Sequence, residues 1–143
     1  SNPGRVHIYH NTFLSLSGAN FSAVTVSAPT VSDINIRNNL AYSSSAYRDS
    51  SNNGSPTFLN NMATSGSVVS DSNTKNSDIS VAPSLVNLNG DLMNPQNWAL
   101  SSAILGSGGV VVQGTEEDFL RGQRNLKQDS AGALKIGLGA FQY

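Results

Sequence analysis

The chain has 143 residues, about one domain's length, of which 38% are hydrophobic and 12% charged, with a formal net charge of −1. So even a balance offers no broad electrostatic lure for nucleic acid or an anionic membrane, and neither is expected as a partner. The absence of cysteine excludes disulfides and thiolate chemistry, and no apolar run reaches the roughly 18 residues of a membrane span.

In chain order, Ser1–Arg5 is a lead-in with a turn at Pro3-Gly4. Val6–Tyr9 alternates apolar and polar residues, which predicts a strand with Val6 and Ile8 inward and His7 and Tyr9 outward. Asn11 stands where that strand gives way to a turn, and Thr12–Leu16 reads as the strand that follows. Ser17–Phe21 is a loop, Ser22–Val26 alternates again, and a turn around Pro29 leads to a strand at Ile34–Arg37. Asn38-Asn39 forms a second corner and Leu40–Tyr42 leaves it. The polar stretch Ser43–Ser55 takes the place of one strand, a loop and the next strand. Thr57–Leu59 and Asn60-Asn61 repeat the pattern a third time, and Thr64–Ser80 is a surface excursion or a weak further turn of chain.

Superposed, VHIYHNTF, INIRNNLA and PTFLNNMA put Ile8, Ile36 and Phe58 at one position and Asn11, Asn39 and Asn61 at another. The asparagines recur at intervals of 28 and 22 residues, within the range of solenoid repeats. Stacked at about 4.8 Å, their amides can answer one another as a structural ladder. Each turn of chain then holds about three strands, and each strand pairs in parallel with its counterpart one turn later, without the helical crossover that parallel strands otherwise need. The expected class is all-β, a right-handed parallel β-helix with an irregular C-terminal capping segment. Residues 1–64 form its turns; residues 65–143 form the last turn or turns and the cap of the same domain. Within the cap, Trp98, Leu100, Ile104, Phe119, Leu134, Ile136, Leu138, Phe141 and Tyr143 are expected to close the coil's end. Thr115, followed by Glu116, Glu117 and Asp118, is a candidate helix start. The first repeat begins without a polar cap, so the chain is expected to be the back part of a longer protein whose missing turns, or a companion chain, complete it.

The V-x-I-x-x-N-x-F pattern at these intervals resembles the pectate-lyase-like superfamily of β-helix proteins. The tail is similar to that family's as well. Ser101–Leu105 stands for its S-P-A-I-D segment, Asp118-Phe119 with Arg124 for D-F-x-G-N-P-R, and Leu138–Tyr143 for I-G-A-F-E-Y. Ser102 replaces the usual proline, Leu105 the aspartate, Arg121 the glycine and Gln142 the glutamate. The resemblance implies a secreted or cell-surface protein that binds, and by β-elimination cleaves, a uronate-containing polysaccharide. In that reaction a base removes the proton beside the carboxylate while a cation neutralises the carboxylate. The alternatives are a non-catalytic carbohydrate-binding, surface or phage-fibre module, and a glycoside hydrolase.

The resemblance locates sites on the outer face of the strand before the Asn-bearing one, here Ser22, Thr25, Tyr47, Arg48 and Asp49. Tyr47 and Arg48 offer a stacking ring and a carboxylate-binding fork. Tyr9 and Arg37 share an outward position on adjacent turns and are a second candidate pair, cation over ring. Their plain reading is surface. His7 and His10, three apart on a strand, point to opposite faces and make no metal pair. A calcium site needs several converging carboxylates, and only Asp33 and Asp49 occur before Ala63. No metal or other cofactor is therefore assigned to this segment, calcium belonging in this reading to the full-length protein. No lysine precedes Lys75, and catalytic groups are expected largely outside the segment. Asp118, Arg121 and Arg124 read as a structural clamp.

Overall fold

A computed structural model of the chain describes residues 4–15, 22–27, 33–42, 47–50, 56–63, 68–69, 75–79, 84–91, 93–101, 109–110, 112–114, 127–128, 131–132 and 134–136. Among them the first strands are β1 (Arg5–Tyr9), β2 (Thr12–Leu14), β3 (Val24–Val26), β4 (Asp33–Arg37), β5 (Leu40–Tyr42) and β6 (Tyr47–Asp49). There follow β7 (Thr57–Ala63), β8 (Val68–Val69), β9 (Lys75–Ile79), a 3-10 helix at Pro95–Trp98, β10 (Gly109–Val110), β11 (Lys127–Gln128) and β12 (Leu134–Ile136). The described residues form no α-helix, and no helix among them is long and apolar enough to cross a membrane. The fold is all-β with parallel sheets.

Parallel pairing relates each strand to one about a repeat later. β1 pairs with β4 from Arg5↔Asp33 to Tyr9↔Arg37, and β4 pairs with the first half of β7 through Ile36↔Phe58. β2 pairs with β5 and β5 with the second half of β7, so β7 spans two strand positions in one run. β3, β6 and β8 make a separate parallel sheet. The polar stretch after Tyr42 therefore does contain a strand, β6. β8 and β9 extend the same pairings, β9 with a register shift between Leu59 and Met62.

The core follows from alternation. On β4, Ile34 and Ile36 are buried while Asp33, Asn35 and Arg37 are only partly so; on β3, Val24 and Val26 are buried and Thr25 is exposed. These residues pack with Tyr47, Phe58, Ala41 and Ala63, and the Tyr47 and Phe58 ring centroids lie 6.3 Å apart at 60°. Leu40, next to Ala41, points the other way and joins Met62, Leu85 and Leu100 in a second cluster. An antiparallel bridge joins Leu85 to Leu100, and Val86 N–H donates to Ala99 O at 3.0 Å. Leu100 thus covers the opposite face of β5 rather than the core that Ile36 and Phe58 share. An apolar face turned away from one core requires a second cover, and this segment supplies it. In the loop between, a Cβ at Gly90 would meet the Asn97 and Asn87 amide nitrogens at 2.5 and 2.7 Å, so any larger residue there obliges those two side chains to move. β10, β12 and β11 form an antiparallel sheet. The candidate helix start at Thr115, the tail segments around Asp118 and Arg124, and Ile104, Phe119, Leu138, Phe141 and Tyr143 lie outside the described residues.

Each corner begins with a residue in the left-handed region: His10 (φ 53°), Asn38 (φ 57°) and Asn60 (φ 55°). Asparagine and histidine are among the few non-glycine residues that enter this region readily. His10 Nε2 and Asn38 Nδ2 are 3.1 Å apart. The backbone ladder runs on through the corner, with His10 N–H donating to Arg37 O and Asn38 N–H to Leu59 O, both at 3.2 Å. Both Asn38→Val and Asn38→Gly lose the buried amide's bonds, but Asn38→Val should cost about 1–3 kcal/mol more in backbone strain, which glycine avoids. Urea unfolding of the two variants separates the contributions; equal losses would show that φ is not what selects asparagine.

Candidate functional site

The outward face of β1 and β4 carries a cluster of polar side chains. Register sets Arg5, His7 and Tyr9 directly beside Asp33, Asn35 and Arg37. Arg5 Nε lies 3.4 Å and His7 Nε2 3.6 Å from Asp33 Oδ2, and Asn35 Nδ2 donates to Asp33 Oδ1. Arg37 Nη2 donates to Asn35 Oδ1 at 2.7 Å. The His7 and Tyr9 rings stack on each other, centroids 5.2 Å apart at 27°. The two acid contacts are largely solvated, with side chains 42–78% exposed, so each contributes at most about 1 kcal/mol.

Arg37 differs from Arg5. Among the described residues it makes no ion pair, its Nη2 is held by a neutral amide, and its Nε is buried without a hydrogen-bond acceptor. Among the described residues, then, the Arg37 guanidinium has no counter-charge, and its backbone partner across the strands is Tyr9. Tyr9 and Arg37 are register partners, but the Tyr9 ring stacks on His7 and the Arg37 guanidinium bonds to Asn35.

Tyr47 and Arg48 part company. Arg48 is exposed on β6 beside Thr25, while Tyr47 is 1% exposed and donates from its hydroxyl to Met62 O at 3.3 Å. Tyr47 is a core residue and presents no ring to a ligand. Asp49 is buried as well, because residues two apart on a strand share a face; neither stands on the outer face that the resemblance implied. His7 and His10 are divided between the outward face and the corner. Among the described residues no three His, Cys, Asp or Glu side chains form a group that could hold a metal ion.

Arg5, His7, Asp33 and Asn35 did not emerge from the sequence as site residues. Their signal was the repeat interval itself, which brings R-x-H-x-Y beside D-x-N-x-R. No family model, curated protein or solved structure matches the chain.

Proposed function

We propose that the chain is part of a right-handed parallel β-helix protein of the pectate-lyase-like kind, secreted or on the cell surface, and that its β1–β4 face binds an acidic polysaccharide. The β-helix reading rests on parallel register at three successive corners of like conformation. The binding reading is carried by Arg37, a cation with no ion pair among the described residues, set beside Tyr9 and Asn35. A uronate carboxylate takes the guanidinium, and the sugar hydroxyls exchange bonds with Asn35.

In this reading cleavage, where it occurs, is β-elimination with its base and neutralising cation on other parts of the protein. Non-catalytic binding is the second reading. It is favoured by the absence of any lysine before Lys75 that could serve as the base on these turns.

Titration of the protein with polygalacturonate or alginate tests binding, and the appearance of unsaturated, ultraviolet-absorbing product tests elimination. Arg37→Ala is expected to weaken binding about tenfold, the worth of one charge-assisted hydrogen bond, with a reduced salt dependence. If Arg48→Ala weakens binding and Arg37→Ala does not, the glycan belongs on the β3–β6 face instead.

A further inference from the structure

We infer that Asn89 is a site of spontaneous modification, where the amide is lost through a succinimide, and that the isoaspartate so formed loosens the segment covering the second core cluster. In that step the Gly90 backbone nitrogen, its proton given up to solvent, bonds to Asn89 Cγ. The Cγ–Nδ2 bond breaks and Nδ2 leaves as ammonia. Water then opens the ring at either carbonyl, giving aspartate or, with the backbone rerouted through the side chain, isoaspartate; either opening restores the Gly90 N–H. The residue after the asparagine governs how readily the ring closes, and glycine brings no Cβ into the path of the attack.

The sequence holds two Asn-Gly pairs: Asn53-Gly54, outside the described residues, and Asn89-Gly90. The fold sets Asn89 apart from the ladder asparagines. Asn39 and Asn61 are fully buried and their amides are engaged, Asn11 Nδ2 donating to Asn39 Oδ1 at 3.0 Å and Asn39 Nδ2 to Asn61 Oδ1 at 2.9 Å. The nitrogens that would attack them belong to Leu40 and Met62. Both donate along the stack, to Asn11 O at 2.8 Å and to Asn39 O at 2.9 Å. Asn94 precedes Pro95, which has no N–H to lose. Asn89 instead is exposed, at a central position of a turn that Gly90 N–H closes on Asn87 O at 3.2 Å. A single neutral hydrogen bond near the surface holds the attacking nitrogen, and it opens without disturbing a strand.

The same turn determines what the modification does. Asn87 N–H donates to Asn97 O at 3.1 Å, Val86 N–H to Ala99 O at 3.0 Å and Ser101 N–H to Ser84 O at 2.8 Å, so the two arms around the turn close on each other. They carry Leu85 and Leu100, which pack with Leu40 and Met62. At the tip, the Asn97 and Asn87 amides lie where a Cβ on Gly90 would fall, and Asn97 Nδ2 also donates to Asp91 O at 2.8 Å. Isoaspartate adds a methylene to the backbone beside these groups, and the added length displaces them. The arms then part first at Asn87 and Asn97. None of this depends on polysaccharide binding.

The test is incubation of the folded chain at mildly alkaline pH, followed by peptide mapping in which chromatography and mass spectrometry separate the aspartate and isoaspartate products from the parent. Conversion at Asn89 is expected at a rate within about tenfold of that in the urea-unfolded chain, the worth of one hydrogen bond, while Asn39 and Asn61 stay intact. Asn89→Gln, at an exposed position, is expected to stop it, since glutamine would have to close a larger ring. Hydrogen exchange at Asn87 is expected to be about tenfold faster in the modified chain, separated by its added negative charge, and unchanged at Ile36. Freshly prepared Asn89→Asp, which has the charge without the methylene, is expected to exchange as the parent does. The inference is overturned if Asn89 persists in the folded chain while it converts in the unfolded one, or if Asn87 exchanges equally fast in the modified and parent chains.

Discussion

Replacing Asn39 with leucine is expected to lower the unfolding free energy by about 3–5 kcal/mol, among the largest effects of any single substitution in the chain. The side chain is fully buried and hydrogen-bonded at both of its polar atoms. Its Oδ1 accepts from Asn11 N–H and Nδ2, and its Nδ2 donates to Ile8 O and Asn61 Oδ1. Leucine keeps much of the volume and none of these partners, so the partners stay in place without bonds, which costs more than the bonds themselves contributed. Asn11→Leu, at the end of the row, should cost clearly less, since water reaches its neighbourhood. Urea denaturation of both variants measures the difference. A loss for Asn39→Leu no greater than that for Asn11→Leu would mean that the row contributes little to stability.

Tyr47→Ala is expected to cost a similar 3–5 kcal/mol, because it empties a fully buried site beside Phe58 and Ile36. Tyr47→Phe removes only the hydroxyl bond to Met62 O and should cost about 1 kcal/mol. The pair also tests the site assignment. A core tyrosine predicts that Tyr47→Phe leaves glycan affinity unchanged; a loss of affinity without a loss of stability would return Tyr47 to the binding surface and set aside its reading as core.

Much of the strand pattern is legible in the sequence. Ile34 and Ile36 alternate with Asp33, Asn35 and Arg37, and a period of two has one physical meaning on a half-buried strand. The same rule went astray at Tyr47, Arg48 and Asp49. Three polar-looking residues in a serine-rich stretch gave no apolar marker of which side faced inward. Pairing with Val24 and Val26 decides it, since a tyrosine and an aspartate in register with two buried valines share their face. The polar strip from Arg5 to Arg37 was concealed for a different reason. Its members are ordinary surface types one at a time, and only adjacency across strands turns them into a site.

The repeat interval, the alternation and the corner asparagines belong to local sequence, because strand periodicity and left-handed tolerance are properties of a few neighbouring residues. Which face of β6 is buried, which cations lack a counter-charge and where Leu85 and Leu100 find their cover belong to the folded chain alone. Each depends on partners 15 to 60 residues away, such as Tyr47 on Met62 and Leu40 on Leu100, and long-range contacts of that kind leave no local trace.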